Sequence, residues 1–226
     1  MDNLGETSLK TDVKWLQRVT DWDAAGVRLS KNGSNLKLAD VSGNTLGEFK
    51  NGNLLPEKYA TTGTPRGEVV NGYQVVDNNG TLALKRVPDK SAYNASELTE
   101  LTQHPNAHVL ERHGHDVTDD ALIKRAQTPS VAPDGNVANN PPSHSSKFNS
   151  PDDLREGLNS TKPGTTAFNN GVQQGNTRVV TYTSTKVLGK GVSRNGSSFV
   201  DMQKVKAVYR DVGGGNYQLI TMYPEL

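Results

Sequence analysis

The sequence predicts an α+β fold in two parts: a β-rich module over residues 1–92, then a domain of short helices packed on an antiparallel β-sheet over residues 93–226. Three observations carry this reading. Before residue 92, short alternating apolar segments are separated by Asn-Gly and Ser-Gly pairs, which accept the positive φ of tight hairpin turns. After Tyr93, helix-capping residues stand ahead of apolar residues at helical spacing. From Arg178 onward the alternation returns, and helices followed by antiparallel strands place the helices on one face of one sheet.

In chain order, Val13, Leu16, Val19 and Trp22 form a helical face over Thr11 to Ala25, with Thr11 or Asp12 as cap and Gly26 as stop. Strands follow near Val27 to Leu29, Leu36 to Leu38, Leu46 to Phe49, Tyr73 to Val76 and Leu82 to Val87. They are divided at Asn32-Gly33, Ser42-Gly43, Asn51-Gly52 and Asn79-Gly80. The reading is a small β-meander with a leading helix. No catalytic constellation occurs in it, which suits a delivery, spacer or docking module.

Asn94 and Glu97 have capping-box spacing ahead of Leu98 and Leu101. A second helix is expected from Pro105 to His113, ended by Gly114 in the αL conformation. A third starts behind Thr118, with Asp119 and Asp120 in its first turn and Lys124 and Arg125 in its last, matching the helix dipole at both ends. Gln127 to Ser146 is a long loop carrying Pro129, Pro133, Asp134-Gly135, Asn139-Asn140 and Pro141-Pro142. Ser150, Pro151, Asp152 and Asp153 start one more helix through Leu154 and Leu158. Four strands close the chain: Arg178 to Thr183, Lys186 to Val192, Lys204 to Arg210 and Tyr217 to Tyr223, the last two a hairpin around Gly213-Gly214-Gly215. No repeat of solenoid length is visible.

The 226 residues suffice for one large domain or two small ones, and 33% hydrophobic residues with 22 Gly and 11 Pro indicate packed domains with long loops. No apolar run reaches the roughly 18 residues of a membrane span, and Met1 to Lys10 lacks the order of a signal peptide. A soluble chain without an address is expected. The net charge of +1 points neither toward nor away from nucleic acid. From Thr177 to Leu226, however, seven Lys or Arg oppose three Asp or Glu. Lys186, Lys190, Arg194, Lys204, Lys206 and Arg210 are therefore the candidate contacts for a phosphate chain. Zero cysteines exclude disulfides, thiolate zinc sites and thiol catalysis, and are compatible with export.

His104, His108, His113 and His115 lie within a dozen residues, beside Glu111, Arg112 and Asp116. Histidines next to arginine suit acid/base work on phosphate esters. A metal reading competes, because His104 and His108 have i, i+4 spacing and His113-x-His115 supplies further ligands. Pro105 interrupts that helix, and neither a His-Glu-x-x-His nor an aspartate-rich motif is present. In a third reading the histidines complement helix ends and face solvent. In the last strand, strict alternation puts Tyr217, Leu219, Thr221 and Tyr223 on one face, with Gln218, Ile220 and Met222 on the other. Thr221 and Tyr223 then present two hydroxyls side by side, an arrangement that ordinary strand packing also produces. Walker, nucleophile-elbow and paired-acid motifs are missing, and Lys186 to Gly191 reads as a strand edge rather than a phosphate loop.

His108-Val-Leu-Glu-Arg-His113-Gly, followed by the capped helix ending in Arg125, resembles the opening of RNase A-like toxin domains, the C-terminal ends of bacterial contact-dependent inhibition and related polymorphic toxins. Ser145 to Ser150, with its helix behind, is similar to the next helix start of that family. Thr221-Met222-Tyr223-Pro224 is similar to the Thr-x-Tyr-Pro ending shared by several toxin ribonucleases, including the EndoU-like group. The resemblance covers about residues 104–226 in order. Two departures stand out: a slightly longer interval from His113 to Arg125, and the Ala132-Pro133-Asp134-Gly135 element. They make the broader barnase, EndoU, colicin and RelE superfamily an equal match.

The resemblance implies a metal-independent endoribonuclease without a cofactor or metal. His113 would act as general acid or base, Arg125 would stabilise phosphate charge, and Thr221 and Tyr223 would position or protonate phosphate oxygens. His108, Arg112 and His115 are secondary candidates, and His144 ranks low because it falls in the loop. The implied partners are an RNA substrate, tRNA or rRNA, and a cognate immunity protein. The implied setting is a larger toxin, secreted or delivered from a cell surface, acting in the target cytoplasm. A DNase or nucleotide-degrading toxin and a non-enzymatic interaction tail are the alternatives.

Overall fold

The computed structural model describes residues 26–32, 35–50, 53–57, 59–60, 63–70, 72–78, 80–129 and 139–226. The helix expected over Thr11 to Ala25 lies outside them, as does the middle of the expected Gln127 to Ser146 loop. The chain forms two compact units that meet in sequence at Val87 and Pro88.

The first unit holds two four-stranded sheets. Strands β1 (Val27–Asn32), β2 (Asn35–Asp40), β3 (Thr45–Lys50) and β4 (Asn53–Pro56) form an antiparallel meander in that order. The second sheet has the order β5-β8-β7-β6, from β5 (Tyr59–Ala60), β6 (Thr64–Val70), β7 (Tyr73–Asn78) and β8 (Thr81–Arg86), with β5 parallel to β8. Leu36, Leu38, Phe49 and Leu54 of the first sheet and Tyr73, Val75 and Leu84 of the second share one core. The single meander expected from the turns is thus two sheets closing on each other. Gly43 takes φ +84° in the β2–β3 turn, where the Asp40 carboxylate accepts the N–H groups of Ser42 and Asn44.

The second unit is α+β. Its helices are α1 (Ala95–Thr102), α2 (Val109–His113), α3 (Asp119–Gln127), α4 (Pro151–Thr161) and the short α5 (Thr166–Asn169). Asn94 and Glu97 form the reciprocal capping box of α1. The Thr118 and Ser150 side chains accept the N–H groups of Ala121 and Asp153 at the starts of α3 and α4. Helix α2 is shorter than expected, because the chain turns at His104 to Ala107 and helical geometry begins only after His108. Gly114 ends it at φ −58°, not αL. Glycine is needed there for space, since a Cβ would stand 2.6 Å from Leu110 O.

The strands form two sheets where one was expected. One has the order β10-β11-β14-β15, from β10 (Val172–Gln174), β11 (Thr177–Thr183), β14 (Lys204–Gly213) and β15 (Asn216–Glu225); the other has the order β13-β12-β9, from β13 (Phe199–Met202), β12 (Gly189–Ser193) and β9 (His144–Phe148). Leu101, Leu110, Leu154, Leu158 and Phe168 of the helices pack with Val180, Val205, Ala207, Tyr209, Leu219 and Met222 of the larger sheet. Strand β12 begins at Gly189 and is central in its sheet, not an edge. Its glycines permit close approach: a Cβ on Gly189 would collide with Pro224 and Lys147 O, and one on Gly191 with Met202 and Ser145 O. That approach brings the end of β15 against β9.

Candidate active site

The site begins with a break in the alternation of β15. Val208 pairs with Thr221, but the next residue, Tyr209, pairs with Leu219, so Ile220 is an extra residue in the strand. A bulge of this kind shifts the phase of the side chains beyond it. Tyr217 and Leu219 therefore pack with the core, as does Met222, while Thr221 and Tyr223 face the other way. The expected grouping of Leu219 with Thr221 fails for this reason. The side-by-side placement of Thr221 and Tyr223 stands on the far side of the bulge. The bulge also anchors α2, because the His108 N–H donates to Ile220 O at 3.0 Å.

Helices α2 and α3 meet β9 through Arg125. Its guanidinium donates from Nη1 to Arg112 O at 2.6 Å, from Nη2 to Ser146 O at 3.0 Å and from Nε to Ser145 Oγ at 2.8 Å. The Ser146 carbonyl also receives His113 Nδ1 at 2.8 Å. A carbonyl only accepts, so Nδ1 carries the proton and Nε2 keeps the basic lone pair. Ser146 Oγ donates to Pro224 O at 2.7 Å, tying β9 to β15 beside Tyr223.

These contacts enclose a cleft of about 200 Å³. His108, Arg112, His113 and Arg125 line its helical side, Thr221 and Tyr223 its β15 side, and Pro142, Ser143 and His144 its lip. The Tyr223 ring lies 5.1 Å from that of His113 and 5.8 Å from that of His144. Burial, reinforced by Arg125, pushes the His113 imidazole well below its ordinary 6.5, and burial with Arg112 pushes His108 down to about 4. Both are neutral at pH 7. Burial likewise lowers His144, against the Glu225 carboxylate that favours its charged form. The Tyr223 phenol is raised by burial, so it keeps its proton and donates. Thr221 lines the cleft, and its Oγ1 is buried with no hydrogen-bond partner among the described residues. Neutral imidazoles, hydroxyl donors and two guanidinium groups together can bind an oxyanion and move protons around it.

No protein-family model and no curated protein matches the chain. One solved structure is similar. It is the crystal structure of a CdiA-CT/CdiI complex from Y. kristensenii 33638, at a TM-score of 0.38 and 20% identity, over 53% of this chain and 99% of that one.

The cleft thus gathers His113, Arg125, Thr221 and Tyr223, together with the secondary candidates His108 and Arg112. His115 is not among its lining residues. Its Nδ1 faces the Tyr93 hydroxyl at 3.4 Å. His104 and His108 do not share a helix, and among the described residues no three His, Asp or Glu side chains are grouped as a metal site.

Much of the expected electropositive surface is internally paired. Lys186 meets Asp153 and Glu156 at 3.2 Å each, Lys190 meets Asp119 at 2.6 Å, and Lys204 and Lys206 share Glu225. Arg194 braces the cleft lip, with its N–H on Ser143 O and its Nε facing Pro142 O. Arg210 lies away from the cleft lining, its Nε buried and without a hydrogen-bond partner among the described residues.

His144 is the site residue that sequence reasoning misplaced. It opens strand β9, paired with Ser193 of β12, and is not part of a loop. The only local signal is the alternation of Ser146 and Phe148 behind it, which is too polar to read as a strand.

Proposed function

We propose that residues 93–226 are a metal-independent endoribonuclease and that the chain is part of an antagonistic bacterial toxin, with residues 1–92 as its delivery or docking module. The observation that carries the proposal is the locked tautomer of His113. Its Nδ1 proton is held by Ser146 O, which leaves the lone pair on Nε2, and the residue lines a cleft together with Thr221, Tyr223, Arg112 and Arg125.

RNA carries its own nucleophile. His113 Nε2 takes the 2′-hydroxyl proton, the 2′-oxygen attacks phosphorus, and the bond to the 5′-oxygen breaks to leave a 2′,3′-cyclic phosphate. Thr221 and Tyr223 donate to the non-bridging oxygens. Arg125 is committed to three protein acceptors, so it acts as a fixed positive charge that also holds the Ser146 carbonyl for His113. Arg112 adds charge on the same wall.

A producing cell cannot restrain such an enzyme by withholding a cofactor, so a tightly binding immunity protein belongs to the proposal. Its surface would compete with RNA at the cleft. Lys204 and Lys206, released from Glu225, would meet either an RNA phosphate or acidic groups on that inhibitor.

Induced expression in bacteria tests the reading. Growth arrest with fragmented tRNA or rRNA, abolished by His113→Ala, is expected. Intact RNA with damaged DNA would overturn it in favour of a DNase, and harmless expression in favour of an interaction module.

A further inference from the structure

Resting on the ribonuclease reading, we propose that His144 is a second catalytic residue, the general acid that protonates the departing 5′-oxygen while His113 serves as base. In an in-line displacement the entering 2′-oxygen and the leaving 5′-oxygen occupy opposite apices at phosphorus. Base and acid are therefore different groups approaching from different sides of one cleft.

Two of the imidazoles that line the cleft are carried on different elements. His113 stands at the end of α2 and His144 at the start of β9, and the Tyr223 ring contacts both, at 5.1 and 5.8 Å. His144 is held by backbone pairing of β9 with β12, and its Nδ1 lies 3.2 Å from Ser143 Oγ. His108, the other imidazole of the cleft, has Nδ1 on Asn106 O at 2.9 Å.

The charge balance at His144 is set by groups on three elements. Burial holds its imidazole below the ordinary value, Lys206 and Lys204 of β14 and Arg125 of α3 add to this, and Glu225 of β15 opposes it. Lys204 and Lys206 are both paired with Glu225, which offsets their separate effects on the imidazole. A phosphodiester entering the cleft adds negative charge beside the imidazole and shifts that balance toward the cation. His108 is held down to about 4, by burial first and then by Arg112 and Arg125.

The step balances without another reactant. The O2′–P bond forms and the P–O5′ bond breaks; the 2′-hydroxyl proton ends on His113 Nε2, and the proton of His144 ends on the 5′-hydroxyl. Exchange with water resets both imidazoles.

The test uses the full chain and two substrates that differ only in leaving group: a ribodinucleotide, whose 5′-alkoxide needs a proton, and a ribonucleoside 3′-(4-nitrophenyl) phosphate, whose nitrophenolate leaves without one. His144→Ala and His144→Gln should each slow the dinucleotide by at least about 100-fold while changing the nitrophenyl ester by less than roughly threefold. Both variants should also lose the basic limb of the dinucleotide pH–kcat/KM profile, and His113→Ala should be slow on both substrates.

Retained activity on the nitrophenyl ester doubles as the check that the variants are folded. Equal losses on both substrates would assign His144 a structural role and overturn the proposal, as would no loss on either. If the wild-type chain cleaves neither substrate, the ribonuclease reading itself falls, and the assignment of His144 falls with it.

Discussion

Replacing Arg125 by lysine retains the positive charge of the cleft wall and removes the planar fork that joins α2, α3 and β9. The guanidinium serves Arg112 O, Ser146 O and Ser145 Oγ at 2.6, 3.0 and 2.8 Å. A single ammonium reaches one of these acceptors, so two charge-assisted hydrogen bonds are lost. Each is worth about 1.5–3 kcal/mol, and water entering the gap recovers part of it, which leaves a net loss of about 2–4 kcal/mol. For a unit of this size that lowers the melting midpoint by roughly 10 °C. Ser145→Ala removes only the Nε bond and should cost about 1 kcal/mol. Calorimetry of the full chain measures both. Activity should fall with Arg125→Lys by at least about tenfold, because Ser146 O also holds His113 Nδ1. A midpoint within roughly 2 °C of wild type would refute the view that this fork organises the site.

Gly189→Ala should destabilise the C-terminal unit by about 1–3 kcal/mol, read from urea denaturation, because the new methyl has nowhere to go between Pro224 and Lys147 O. Acid should destabilise the same unit. His108 is held neutral down to about 4, whereas the unfolded imidazole takes up its proton near 6.5. The folded state thus binds fewer protons, and stability that is complete above 6.5 is lost as the pH falls toward 4. The pH dependence of the melting midpoint across that window should become shallower in His108→Asn, with the remaining slope carried by His113, whose imidazole burial also holds well below 6.5. Thr221→Val should slow RNA cleavage by at least about tenfold with little change in melting midpoint, since Thr221 Oγ1 has no hydrogen-bond partner among the described residues to lose.

The features legible in the sequence were local ones. Asn94, Thr118 and Ser150 cap helices that start where their side chains require, because a cap and its N–H target lie three residues apart. The Gly213-Gly214-Gly215 hairpin is equally local, with all three glycines at positive φ. What the sequence concealed depends on distant partners. The bulge at Ile220 exists only in the pairing of β14 with β15, so strict alternation misassigned Leu219. Strand β9 is polar and is recognisable only once Gly189 and Gly191 admit it beside β12 and β15. For that reason His144 read as loop. The lysines counted as a phosphate track are neutralised by Asp119, Asp153, Glu156 and Glu225, which one strand's composition does not reveal. Motif order, not spacing, groups His113, Arg125, Thr221 and Tyr223 in the sequence, and the Ser146 carbonyl that joins two of them is visible only in the fold.

Cleavage of a synthetic RNA carrying a single 2′-deoxy residue tests the central claim most directly. The purified chain, in EDTA, should cut the all-ribose strand to 2′,3′-cyclic phosphate and 5′-hydroxyl ends, and should leave the bond following the deoxy residue intact. Cleavage at the deoxy position, or cleavage that requires an added divalent cation, would contradict a mechanism in which His113 activates the substrate's own 2′-hydroxyl.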